Sequence, residues 1–126
     1  MRLVLLAALG GALGTVARYL TVAAAARVLG PNFPWGTLAV NVGGSLAIGA
    51  LMAAIGQWWG GSAELRVLLV TGFLGGFTTF SAYSYDILEL IERRAMLEAL
   101  LYAAGSVVLS VLAAAAGYSA MKALAP

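Results

Sequence analysis

Thr71-Gly72-Phe73-Leu74-Gly75-Gly76-Phe77-Thr78-Thr79-Phe80-Ser81-Ala82-Tyr83-Ser84 lies inside a long apolar stretch bounded by Arg66 and Arg93. Gly is a poor helix former and Thr a mediocre one. This is therefore the least helix-like run in a segment otherwise fit to cross a bilayer. Gly75-Gly76 followed by two threonines, near the middle of the segment, predicts a third helix broken at the bilayer midplane. Backbone groups freed by such a break are tolerated only where protein or an ion satisfies them. The plainer alternative is a kinked helix packed on its glycines.

The rest of the chain makes the membrane the expected solvent. Of 126 residues, 63% are hydrophobic and 10% charged. A soluble domain carries roughly 25% charged residues, and a fold of this length cannot hide so much apolar surface from water. Disorder goes with the opposite composition. A transmembrane helix needs about 20 apolar residues, and four segments qualify, at about residues 3–29, 36–58, 66–92 and 97–121. Trp35 opens the second and Trp58-Trp59 close it, as in an aromatic belt. Gly30, Pro31, Pro34 and Gly60-Gly61 break the chain between spans. The expected architecture is an all-α integral membrane protein, with residues 1–126 forming one four-helix transmembrane domain. Met1-Arg2 and the apolar residues after them resemble the start of a secretory signal. The apolar stretch runs on to Leu29, too long for a signal core, so it is expected to stay as the first span.

The composition excludes much chemistry. The chain has no Cys and no His, so thiolate nucleophiles, a Ser-His-Asp triad and a zinc site of the HExxH kind are ruled out. No set of reactive residues supports an enzyme. A net charge of +2 is too small to argue for nucleic acid.

With four spans both termini lie on one side. That side collects Arg2, Arg66 and Lys122, and the other Arg27, Arg93 and Arg94. Leaving out Arg18 inside the first span, the positive-inside rule has almost nothing to act on. Chance in a small protein would give the same tie. The sharper reading is a chain that inserts both ways and pairs as an antiparallel dual-topology homodimer. Four small helices make a thin unit, which also favours a dimer.

Polar residues within spans are expensive and are functional candidates. Gly10 and Gly14 form a close-packing GxxxG in the first span. Arg18 follows about 12 Å further along the axis. Its partner is the interface by snorkelling, a carbonyl, or a permeating anion. Asn41 and Ser45 share a face of the second span. Asn41 makes an interhelical bond or donates its amide to an anion. Phe77, Phe80 and Tyr83 recur every three residues. Such a stripe is ordinarily packing, but ring edges carry partial positive charge and suit an anion. Asp86, Glu89, Glu92, Arg93 and Arg94 read as an interfacial helix end. Tyr102, Ser106 and Ser110 fall at i, i+4 and i+8 in the fourth span and read as a track of hydroxyl donors. Donors without acidic partners favour passive conduction of a small anion. Composition alone leaves the anion open.

The third-span run, together with Gly11-x-x-Gly14-x-x-x-Arg18-Tyr19 and Asn41-x-Gly43-Gly44-Ser45, resembles the CrcB-type or Fluc fluoride channels, over all four spans. The resemblance implies a fluoride-selective passive channel in the cell inner membrane, lowering cytoplasmic fluoride, built as an antiparallel homodimer with two pathways. It implies a structural Na⁺ at the dimer centre, held by the backbone carbonyls of Gly75 and Thr78. It implies an anion pathway in which Asn41 donates, Phe80 and Tyr83 offer ring edges, and Tyr102, Ser106 and Ser110 form the hydroxyl track. Arg18 matches the first-span Arg of the pattern, with its role open. Tyr83 departs from the pattern, which usually has Phe there. The alternatives are a small multidrug-type cation exporter, opposed by the missing buried carboxylate in the first span, and an accessory subunit with no transport of its own.

Overall fold

The structure, a computed structural model, describes residues 1–125. It is all-helical, and four helical stretches are long and apolar enough to cross a membrane: Arg2–Leu29, Trp35–Gln57, Ala63–Glu92 and Met96–Ala123. Their outward surfaces are covered with large apolar side chains, among them Leu5, Leu13, Leu20, Leu100, Leu101 and Leu112. Apolar residues all round a helix mark a lipid-facing element.

The first helix, α1, spans Arg2–Leu29 and ends at Gly30, whose φ of 85° few other residues adopt. Pro31 and Pro34 then carry the chain into α2, Trp35–Gln57. The third stretch is composite. Ser62 caps it by accepting the Leu65 N–H at 3.3 Å. Ala63–Leu65 is α-helical, Arg66–Leu74 widens into π geometry, and Gly75–Phe77 returns to α. We call residues 63–77 α3. Thr78 (φ −84°, ψ 157°) and Thr79 (φ −153°, ψ 119°) are extended. Helix α4 then runs Phe80–Glu92 and α5 runs Met96–Ala123.

Glycines set the packing. α1 lies along α3, and α2 along α5. A Cβ at Gly10 would overlap the Leu68 carbonyl oxygen, and one at Gly14 the Phe73 carbonyl. The same holds between the other pair, Gly49 against Ala114 and Gly117 against Leu46. Backbones thus approach to a distance that any side chain would prevent, which is how membrane helices gain packing energy without a hydrophobic drive.

The glycines of α3 do not mark where it stops. Gly76 sits against the Gly11 carbonyl and stays helical, as does Gly75 (φ −62°, ψ −36°). The backbone leaves helical geometry only at the threonines after them. Thr79 Oγ1 then accepts the Ala82 N–H at 3.1 Å and caps α4. At one end of the molecule Arg2 and Glu64 approach to 3.7 Å. At the other, Arg93 Nη2 donates to the Asn32 carbonyl at 2.8 Å, tying the α4–α5 turn to the α1–α2 loop.

Candidate functional site

Thr78 and Thr79 form one wall of a cavity of about 420 Å³ between α2, α3, α4 and α5. The cavity owes its shape to both neighbouring helices. A Cβ at Gly44 would collide with the Thr78 methyl, so a glycine on α2 makes room for that side chain. One turn earlier on α2, Asn41 bonds to the extended segment twice. Its Oδ1 accepts the Thr79 N–H at 2.7 Å, and its Nδ2 donates to the Thr79 carbonyl at 2.9 Å. A side-chain amide thus stands in for a β-type backbone partner where the helix ladder is missing.

That pairing leaves carbonyls without donors. In a continuous helix the Thr79 N–H would close onto the Gly75 carbonyl; here Asn41 takes it. The Thr78 carbonyl accepts no hydrogen bond from any described residue, while Thr78 Oγ1 donates back to the Leu74 carbonyl at 2.8 Å. Among the described residues no three Asp, Glu, His or Cys cluster to hold a metal. Any cation held here would rest on uncharged oxygen.

Eight of the residues singled out from the sequence line this one cavity: Asn41, Ser45, Gly75, Thr78, Phe80, Tyr83, Ser106 and Ser110. Thr79 joins them, and no charged side chain does. Ser106 is 4% exposed, and its Oγ has no hydrogen-bond partner among the described residues. A buried hydroxyl of that kind is costly to leave unpaired. Tyr83 is buried, and its O–H donates to the Ala103 carbonyl at 2.6 Å. Its ring centroid lies 5.4 Å from that of Phe80. Phe80 itself is 77% exposed, so a single chain leaves that side of the cavity open.

Two of the singled-out residues lie elsewhere. Tyr102 is 1% exposed and packs in a core with Tyr83, Leu90 and Ala99. Its hydroxyl donates to Asp86 Oδ2 at 2.9 Å. Asp86 in turn lines a second, smaller cavity of about 190 Å³ with Phe33, Thr37 and Glu89. Arg18 lines neither cavity. The sequence reading missed Thr37, the Asp86–Tyr102 bond and the Thr79 partner of Asn41. Each depends on contacts between helices far apart in the chain, which no local spacing signals.

Comparison with known proteins agrees over nearly the whole length. The family described as "CrcB-like protein, Camphor Resistance (CrcB)" matches residues 5–118. A protein of Rhizobium etli named "Fluoride-specific ion channel FluC" is 52% identical over 120 residues, 95% of this chain and 96% of that protein. A protein of the same name from Chelativorans sp. is 55% identical over 109 residues, 86% of this chain and 87% of its own length. One from Rhizobium meliloti is 49% identical over 124 residues, 98% of this chain and 99% of its own.

Proposed function

The chain belongs to the CrcB family, and on that premise we propose that it is a passive, fluoride-selective ion channel, not an enzyme. One observation carries the reading. The cavity offers an amide, hydroxyls and ring edges and has no charged side chain in its wall. Such a lining compensates the lost hydration of a small anion without trapping it against a charged side chain. A cation exporter would need a carboxylate in that wall.

The residues divide the work. Asn41 keeps one N–H beyond the one given to Thr79, and donates it to fluoride. Ser106 Oγ supplies the next hydroxyl, one turn before Ser110. Phe80 and Tyr83 turn ring edges, with their partial positive charge, toward the ion. Tyr102 lines neither cavity and donates its hydroxyl hydrogen bond to Asp86, so it supports the ring of Tyr83 from the core. Arg18 lines neither cavity and is given no part in the pathway.

The extended pair Thr78–Thr79 lies at the bilayer midplane in this reading. The Gly75 and Thr78 carbonyls fit a Na⁺ site, because one has lost its helical donor and the other has none. Two carbonyls are too few for an alkali ion. A second, antiparallel copy related by a two-fold axis brings two more, and it covers the open side beside Phe80. Bound there, Na⁺ supplies a fixed positive charge that holds the two copies together. The protein is then a multi-pass protein of the cell inner membrane, with one pathway along each chain.

Expression in a bacterium stripped of its own fluoride export tests the function. Restored growth in fluoride is the expected result. Continued sensitivity with the protein present in the membrane contradicts it. Replacing Na⁺ by N-methylglucamine tests the ion site, with a lower fluoride flux and a smaller dimer fraction expected. Unchanged values of both would remove Na⁺ from the account.

A further inference from the structure

We propose that the Tyr83 hydroxyl is a tether that fixes its own ring at one angle to the cavity and thereby sets the rate of fluoride passage. The inference rests on the channel reading above. The Tyr83 side chain leaves α4, and its O–H reaches across to the Ala103 carbonyl of α5 at 2.6 Å. That is short for an O–H···O bond. The residue as a whole is 9% exposed. The ring is held on two sides, with centroids 5.4 Å from Phe80 and 5.4 Å from Tyr102.

The partner of the tether matters. Ala103 lies three residues before Ser106, whose buried hydroxyl has no partner. Tyr83 and Ser106 line the same cavity. Anchoring the ring to the backbone of α5 therefore fixes the spacing between a ring edge and a hydroxyl that would meet one ion together. A phenylalanine at this position keeps the ring and its edge but has no donor for Ala103. Packing against Phe80 and Tyr102 alone then holds the ring axis, without the bond that opposes its swing about χ1. Passage would be slowed by the fraction of time the edge points elsewhere. Tyr83 acts here as a positioning residue for its own ring, not as a hydroxyl donor to the ion.

Single-channel recording in planar bilayers tests this, with wild type, Tyr83→Phe and replacement of Tyr83 by 4-aminophenylalanine, which keeps a donor at the ring tip. Tyr83→Phe is expected to lower unitary fluoride conductance about 2- to 12-fold, the population range that one neutral hydrogen bond controls. The amino variant is expected to conduct at the wild-type level. Wild-type conductance in Tyr83→Phe would overturn the tether and leave the channel reading standing. Equal loss in both variants would also overturn it, as would a lowered thermal midpoint in Tyr83→Phe with unitary conductance intact. A wild-type protein silent to fluoride would overturn the channel reading, and the tether with it.

Discussion

Asn41 of α2 and the extended Thr79 exchange two hydrogen bonds, 2.7 Å into the amide oxygen and 2.9 Å out of the amide nitrogen. The pairing closes both main-chain groups of the residue where the helix is interrupted. It also frees the Gly75 carbonyl from its usual donor. One side chain thus stabilises the extended segment and lines the cavity beside it.

Asn41→Asp keeps an acceptor for the Thr79 N–H but loses the donor to its carbonyl, and it places a negative charge in an uncharged cavity. Fluoride flux is expected to fall more than about tenfold, since each 1.4 kcal/mol of added barrier is a factor of ten. Flux measured on the purified variant checks this. An unchanged rate would make Asn41 a packing residue.

Phe80→Ile removes a ring edge from the cavity while keeping apolar bulk. Phe80 is mostly exposed in the single chain, so the helix bearing it loses little of its own packing. Flux is expected to drop by up to about tenfold, the worth of one aromatic contact, with the dimer still formed on size exclusion. Near-normal flux would take Phe80 out of the pathway.

Ser106→Ala separates stability from conduction. The hydroxyl is buried without a partner, so removing it is expected to leave the thermal midpoint unchanged or raise it. Fluoride flux is expected to fall. A lower midpoint with normal flux would mean that Ser106 serves the fold instead.

Gly14→Ala and Gly43→Ala form a matched pair. A Cβ at Gly14 would overlap the Phe73 carbonyl, whereas one at Gly43 meets nothing within 4 Å. Overpacking costs about 1–3 kcal/mol, so Gly14→Ala is expected to lower the thermal midpoint in detergent and Gly43→Ala to leave it in place. Equal behaviour would contradict the close α1–α3 packing.

The four apolar stretches were readable from composition and length, because lipid as solvent leaves a coarse signal in every residue. Finer features needed contacts. The sequence drew attention to Gly75-Gly76 and the two threonines after them; the glycines are helical, Gly76 lying against the Gly11 carbonyl of α1, and only the threonines are extended. Tyr102, Ser106 and Ser110 look like one stripe at a spacing of four. A helix turns 100° per residue, so eight residues drift by about 80°. Tyr102 accordingly faces Asp86 while the two serines face the cavity. The π turns over Arg66–Leu74 carry no sequence signal that we recognise. The bonds joining Asn41 to Thr79 and Tyr83 to Ala103 span 38 and 20 positions, beyond the reach of any local pattern.

The most direct test is ion release from liposomes containing only the purified protein, followed by fluoride and chloride electrodes in parallel. The account predicts rapid fluoride release with chloride retained. Retention of both ions by well-folded protein, or release of both at similar rates, would contradict it.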